Sequence, residues 1–152
     1  MPGTTETDPI VREIRIDATP ETVFEFFTDP AKLTRWLAVE ATLDPRPGGV
    51  CHQVHDGGED HNAGPYEMRG EFVEVSPPDR VVFTWGFTNA DVGVPPGSST
   101  VEVTLTRDGS GTLLRLVHRG LPESELASHS GGWTGMLERL SEAVVTGAQE
   151  QR

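Results

Sequence analysis

The chain has 152 residues, the size of one ordinary domain, and burying roughly 68–70% of the unfolded surface is enough for an independent core, so no second full domain is expected. Lys and Arg number 12 against 24 Asp and Glu, a net charge of −12 with neutral histidines, and that mean field opposes nucleic acid as a partner. No apolar run approaches the roughly 18 residues of a membrane span, residues 1–8 lack the basic and apolar stretches of a signal peptide, and the single cysteine, Cys51, excludes an intrachain disulfide, so a cytoplasmic protein is expected.

In chain order, Ile10-Val11-Arg12-Glu13-Ile14-Arg15-Ile16 alternates apolar and charged side chains, the pattern of a strand with one wet face. Thr19-Pro20 reads as an N-cap followed by proline at the first helical position, with Val23, Phe24, Phe26 and Phe27 as the apolar face. Asp29-Pro30 repeats that signal, and Leu33, Trp36 and Leu37 predict a second short helix. Strands are then expected over 39–43, 50–55, 66–75 and 81–87, the last two joined by Ser76-Pro77-Pro78-Asp79. Residues 88–100, with Gly93, Pro95, Pro96 and Gly97, show no periodicity and are expected to form a mobile rim. Strands at 101–107 and 112–118 follow, and Trp133, Met136, Leu137, Leu140 and Val144 form the apolar stripe of a closing helix, with Glu138, Arg139 and Glu142 opposite. The 17 glycines and 12 prolines suit short strands and turns, and residues 1–8 and 148–152 are expected to be flexible tails around one domain at 9–147.

This order is α+β. The segments Ile14 to Glu21, Asp29 to Trp36, Gly70 to Trp85, and Gly131-Gly132-Trp133, in that spacing, resemble the START-like (SRPBCC) helix-grip superfamily, in the branch similar to the C-terminal domain of the heat-shock-protein-90 ATPase activator. The resemblance covers about residues 9–146. It implies a curved antiparallel sheet of six to seven strands around a long C-terminal helix, with a cavity between them. It carries over no catalytic residues, because the fold hosts lipid carriers, cyclases and chaperone activators alike.

Alternation groups Phe83, Trp85 and Phe87 on one strand face and Leu114, Leu116 and His118 on another, all expected inward. With Trp36, Met68, Trp133 and Met136 they are candidates to enclose an apolar pocket. Cys51, Gln53 and His55 share a strand face, which the resemblance turns toward the cavity, so that Gln53 and His55 join the ligand-binding candidates. Cys51 and His55 stand roughly 7 Å apart along the strand, too far for direct activation of the thiol. His118 ends its inward run just before Arg119-Gly120 and is the candidate acid or base, expected to serve ligand binding or proton transfer more than folding. Its alternative is a histidine satisfied within the sheet. His52, His55, Asp56, Glu59, Asp60 and His61 are rich in metal-ligand types, but His52 and His55 point to opposite sides of one strand and no metal site is expected. Neither a Gly-x-Ser-x-Gly frame nor a glycine-rich phosphate loop is present, so no cofactor is expected.

Three functions follow, in order of preference. The first is a module binding a hydrophobic or amphipathic small molecule. The second is a cyclase- or dehydratase-type enzyme using a cavity histidine. The third is an interaction protein with a chaperone partner, which ranks last because the activator also carries an N-terminal domain for which 152 residues leave no room. Ligand identity and oligomeric state are not encoded legibly.

Overall fold

A computed structural model describes residues 8–55, 65–89 and 92–150, with side chains placed through Gly147. Its elements are β1 (Ile10–Ile16), α1 (Pro20–Thr28), α2 (Pro30–Leu33), β2 (Glu40–Leu43), β3 (Val50–His55), β4 (Tyr66–Ser76), β5 (Arg80–Trp85), β6 (Ser99–Asp108), β7 (Gly111–Arg119) and α3 (Glu123–Glu150). The seven strands form one antiparallel sheet in the order β1-β7-β6-β5-β4-β3-β2, the helix-grip arrangement. Among the described residues no helix is long and apolar enough to cross a membrane.

Local chemistry sets the two short helices. The Thr19 hydroxyl accepts from the Thr22 backbone N–H at 3.3 Å, and Pro20 occupies the first turn, where its missing N–H costs nothing. Asp29 then serves two helices at once. Its N–H closes α1 on the Glu25 carbonyl, while its carboxylate accepts from Ala31 N at 2.9 Å to start α2. This leaves no room for a linker, so α1 and α2 turn sharply and deliver Trp36 to the core, where its indole N–H reaches the Phe26 carbonyl at 2.9 Å.

Inward residues of β5, β6 and β7 stand in one layer. Phe83 pairs with Val101, Trp85 with Ser99, and Val101 in turn with His118. All five are buried. The long helix α3 lies along the β1 side, where the Arg12 guanidinium bonds the Ser130 hydroxyl and, at 3.2 Å, Thr134 Oγ1. Leu137, Leu140 and Val144 bury the stripe of α3 that the spacing predicts.

Several boundaries differ from expectation. β5 stops at Trp85, and Phe87 continues only as a single bridge to Met68. The reason is Gly86, where an added Cβ would lie 2.0 Å from the Pro95 carbonyl oxygen because the following loop folds back over the strand. That loop is tied down where it is described. Phe87 N–H bonds the Val94 carbonyl at 2.6 Å, Val94 is buried, and β6 begins at Ser99 rather than Val101. At the other end, α3 keeps helical backbone to Glu150.

Candidate functional site

An open cleft of about 740 Å³ lies between the N-terminal half of α3 and the ends of β3, β4 and β5, with the segment 34–39 closing one side. Trp36, Trp85, Phe87 and Tyr66 supply aromatic surface to it, and Met136 reaches in from the helix. Trp85 is the hub. Its ring packs on Phe87 (5.6 Å between centroids), His55 (5.5 Å) and Trp133 (5.3 Å), mostly edge to face.

The helical wall is bare. Gly131, Gly132 and Gly135 all line the cleft. A Cβ added at Gly131 would meet nothing within 4 Å; at Gly132 it would meet only Met136 Cε at 3.7 Å, and at Gly135 only Arg139 Nη1 at 3.9 Å. Protein packing therefore does not require glycine at these three positions, although each costs helix stability relative to alanine.

Behind Trp85 and Trp133 lies His118, buried at 1% exposure. The indole N–H of Trp133 donates to its Nδ1 at 2.9 Å. Indole nitrogen only donates, so Nδ1 carries no proton, and the neutral ring donates from Nε2 to Ser99 Oγ at 2.9 Å. Ser99 passes its own proton to the Trp85 carbonyl at 2.7 Å. The chain is saturated at every atom. Burial, assisted by the nearby His129, pushes the His118 pKa down to about 3. His118 does not line the cleft.

His129 does line it, and has the opposite tautomer. Its Nδ1 donates to the Glu125 carbonyl at 3.0 Å, and its Nε2 accepts from the Trp85 indole at 3.4 Å. Burial lowers its pKa, against the pull of the Glu125 carbonyl and carboxylate. On β3, His55 Nε2 donates to Gln53 Oε1 at 3.0 Å, and the Gln53 amide reaches Cys51 Sγ at 3.7 Å. Gln53 thus separates the thiol from the imidazole, and burial pushes the Cys51 thiol up to about 12.

Of the residues expected at a ligand site, the structure brings Trp36, His55, Trp85, Phe87 and Met136 to the cleft. Gln53, Met68, Phe83, Leu116, His118 and Trp133 lie beneath that surface, each at 2% exposure or less. In the candidate metal cluster, His52 and His55 occupy opposite faces of β3, and Asp56, Glu59, Asp60 and His61 fall outside the described residues. Several cleft residues escaped sequence reasoning, among them Tyr66, Arg35, His129 and Arg139. His129 was findable, since it precedes Trp133 by one helical turn and so shares its face. Arg139 was assigned to the solvent side. It is exposed, yet it folds back over Gly135, and its Nε bonds the Trp36 carbonyl at 3.3 Å.

Comparison with known proteins places this geometry in a lineage. The sequence model of the family described as "Activator of Hsp90 ATPase homolog 1-like protein" matches residues 17–145. The chain is 26% identical over 121 residues to an uncharacterised protein of Schizosaccharomyces pombe and spans 32% of that protein's length. Among solved structures, an AHSA1-like protein of Rhizobium etli is 40% identical with a TM-score of 0.67, covering 90% of this chain and 81% of its own. CalU16 of Micromonospora echinospora is 28% identical with a TM-score of 0.70, covering 93% and 79%. DynU16, from the dynemicin biosynthetic locus, is 27% identical with a TM-score of 0.74, covering 93% of this chain and 48% of its own.

Proposed function

We propose that this chain, which belongs to the Activator of Hsp90 ATPase homolog 1-like family, binds a hydrophobic or amphipathic small molecule in the cleft between α3 and the ends of β3 to β5. One observation carries the reading: an aromatic floor faces bare helix backbone across about 740 Å³, within the size range of small-molecule sites. Aromatic faces give a ligand contact area at little entropic cost, since their side chains are already fixed by packing. Phe87, Trp85 and Trp36 meet that condition, since they line the cleft and are held at 8% exposure or less. The likeness to CalU16 and DynU16 is compatible with this reading.

The test uses Nile red, a neutral apolar dye. It should brighten on binding the wild-type protein and compete with whatever molecule native mass spectrometry finds co-purified. Met136→Trp, which fills the cleft from the helix side, should weaken dye binding about tenfold or more while the protein still melts cooperatively. Equal dye binding by both proteins, or none by the wild type, would sink the reading.

The family match supports a second reading, a surface contact with a chaperone ATPase. Its test is direct. Stoichiometric protein should raise the turnover of purified heat-shock-protein-90 and do so equally in the Met136→Trp variant; no change in turnover removes this reading.

A further inference from the structure

We infer that the cleft selects an anionic amphipath, with a carboxylate held at Arg139 and the apolar body lying between Trp85, Phe87 and the helix. The inference rests on the small-molecule reading and adds the ligand's charge. Its basis is an inversion of sign. Across the chain, acidic residues outnumber Lys and Arg two to one, 24 against 12. Among the described residues that line the cleft there is no Asp or Glu, and the charged or titratable nitrogen groups are Arg35, Arg139, His55 and His129. A cation would find no carboxylate partner in this lining.

Geometry makes Arg139 the anchor. Its side chain leans back toward the N-terminus of α3, as helical side chains do, and passes over Gly135 one turn earlier, with Nη1 3.9 Å from where a Cβ of residue 135 would be. The Nε bond to the Trp36 carbonyl fixes the plane of the guanidinium at the rim, and this bond consumes only one of its five N–H donors. A carboxylate has the geometry for a two-point bond to the remaining fork, whereas an amide or alcohol of the same shape has neither the charge nor the paired acceptors. His129 has its Nδ1 on the Glu125 carbonyl at 3.0 Å with the Glu125 carboxylate 3.6 Å away, and its Nε2 accepts from the Trp85 indole, so this ring offers no proton to an anion and Arg139 is left as the anchor.

The experiment measures displacement of Nile red by two matched pairs, 2-naphthoate against 2-naphthamide and decanoate against decanol, at neutral pH. In the wild type each acid should bind about tenfold tighter than its neutral twin, the worth of one charge-assisted bond, despite the protein's net negative charge. Arg139→Gln should erase that preference, bringing each acid to the affinity of its neutral twin in the same protein, and Arg139→Lys should restore part of it. Equal affinity of acid and neutral twin in the wild type overturns the inference, as does a preference that survives Arg139→Gln, or failure of both acids to bind. In each of those cases Nile red binding still stands or falls separately, so the broader reading is judged on its own result.

Discussion

The two sides of Trp85 open onto regions built on opposite rules. Behind it, the Trp133 indole, His118, Ser99 and the Trp85 carbonyl form a chain in which each proton has one acceptor and each acceptor its proton. In front of it, glycine backbone and ring edges border open volume, and polar groups sit at the rim. The first region is fully satisfied and has nothing left with which to recognise a ligand. The second is poorly filled by the protein itself, and filling it is what a ligand would do. A buried polar side chain is therefore not the same as a site residue: in this fold the saturated histidine holds the wall, and the less buried one faces the cleft.

Removing the wall's histidine should have the largest effect. His118→Ala leaves the Trp133 N–H without an acceptor in a dry interior and opens a void beside Trp85. An orphaned donor and a cavity together cost about 3 kcal/mol. Urea unfolding at pH 7.5 should show that loss, while Nile red affinity of the folded protein shifts no more than about twofold. The reverse pattern, intact stability with binding abolished, would put His118 back in the ligand site.

Acid should attack the same wall next. The neutral form of His118 is favoured in the folded state, with its pKa down at about 3 against about 6.5 unfolded. Below pH 6.5 the unfolded chain takes up a proton that the folded chain refuses, so stability falls as pH falls and is fully present only above that range. The slope is roughly 1.4 kcal/mol per pH unit for this one group, or about 2 kcal/mol between pH 6.5 and pH 5, above most carboxylate titrations. His129, whose pKa burial also lowers, acts in the same direction. Unfolding curves across that window should show the decline, and His118→Gln should flatten it. A stability that is level from pH 7 to pH 5 would mean that His118 accepts a proton in place, which the Trp133 bond forbids.

The sequence made the scaffold legible but not the division between wall and cleft. Period-two runs such as Ile10 to Ile16 and the paired cap signals at Thr19-Pro20 and Asp29-Pro30 are local, and the structure follows them closely. The inward face of β7 was also readable, since Leu114, Leu116 and His118 alternate onto it. Alternation gives a side of the sheet and no depth along it. It cannot separate Phe87, which lines the cleft, from Phe83, which does not and is buried at 2%. Depth comes from where α3 crosses the strands and from the backward turn of the loop over Gly86, both long-range facts. Arg139 is exposed, as the helical wheel has it; what the wheel does not show is that its Nε reaches the Trp36 carbonyl of another element at 3.3 Å, which brings it to the cleft rim.

The smallest effect is the sharpest on the comparison, because it separates stability from binding in sign. Gly131 and Gly132 sit inside α3, where glycine costs up to about 1 kcal/mol relative to alanine through the backbone entropy it surrenders on folding. Neither has a neighbour that a methyl group would strike: the nearest atom is the flexible tip of Met136, 3.7 Å from the Cβ position at Gly132. Alanine at either position should therefore raise the midpoint of thermal or urea unfolding, by an amount worth up to about 1 kcal/mol. The same methyl group enters the space where a ligand would rest directly on helix backbone, so Nile red should bind several-fold more weakly. If Gly132→Ala stabilises the protein and binds the dye as well as the wild type does, the bare helix face is not a ligand surface, and the cleft owes its shape to something other than its occupant.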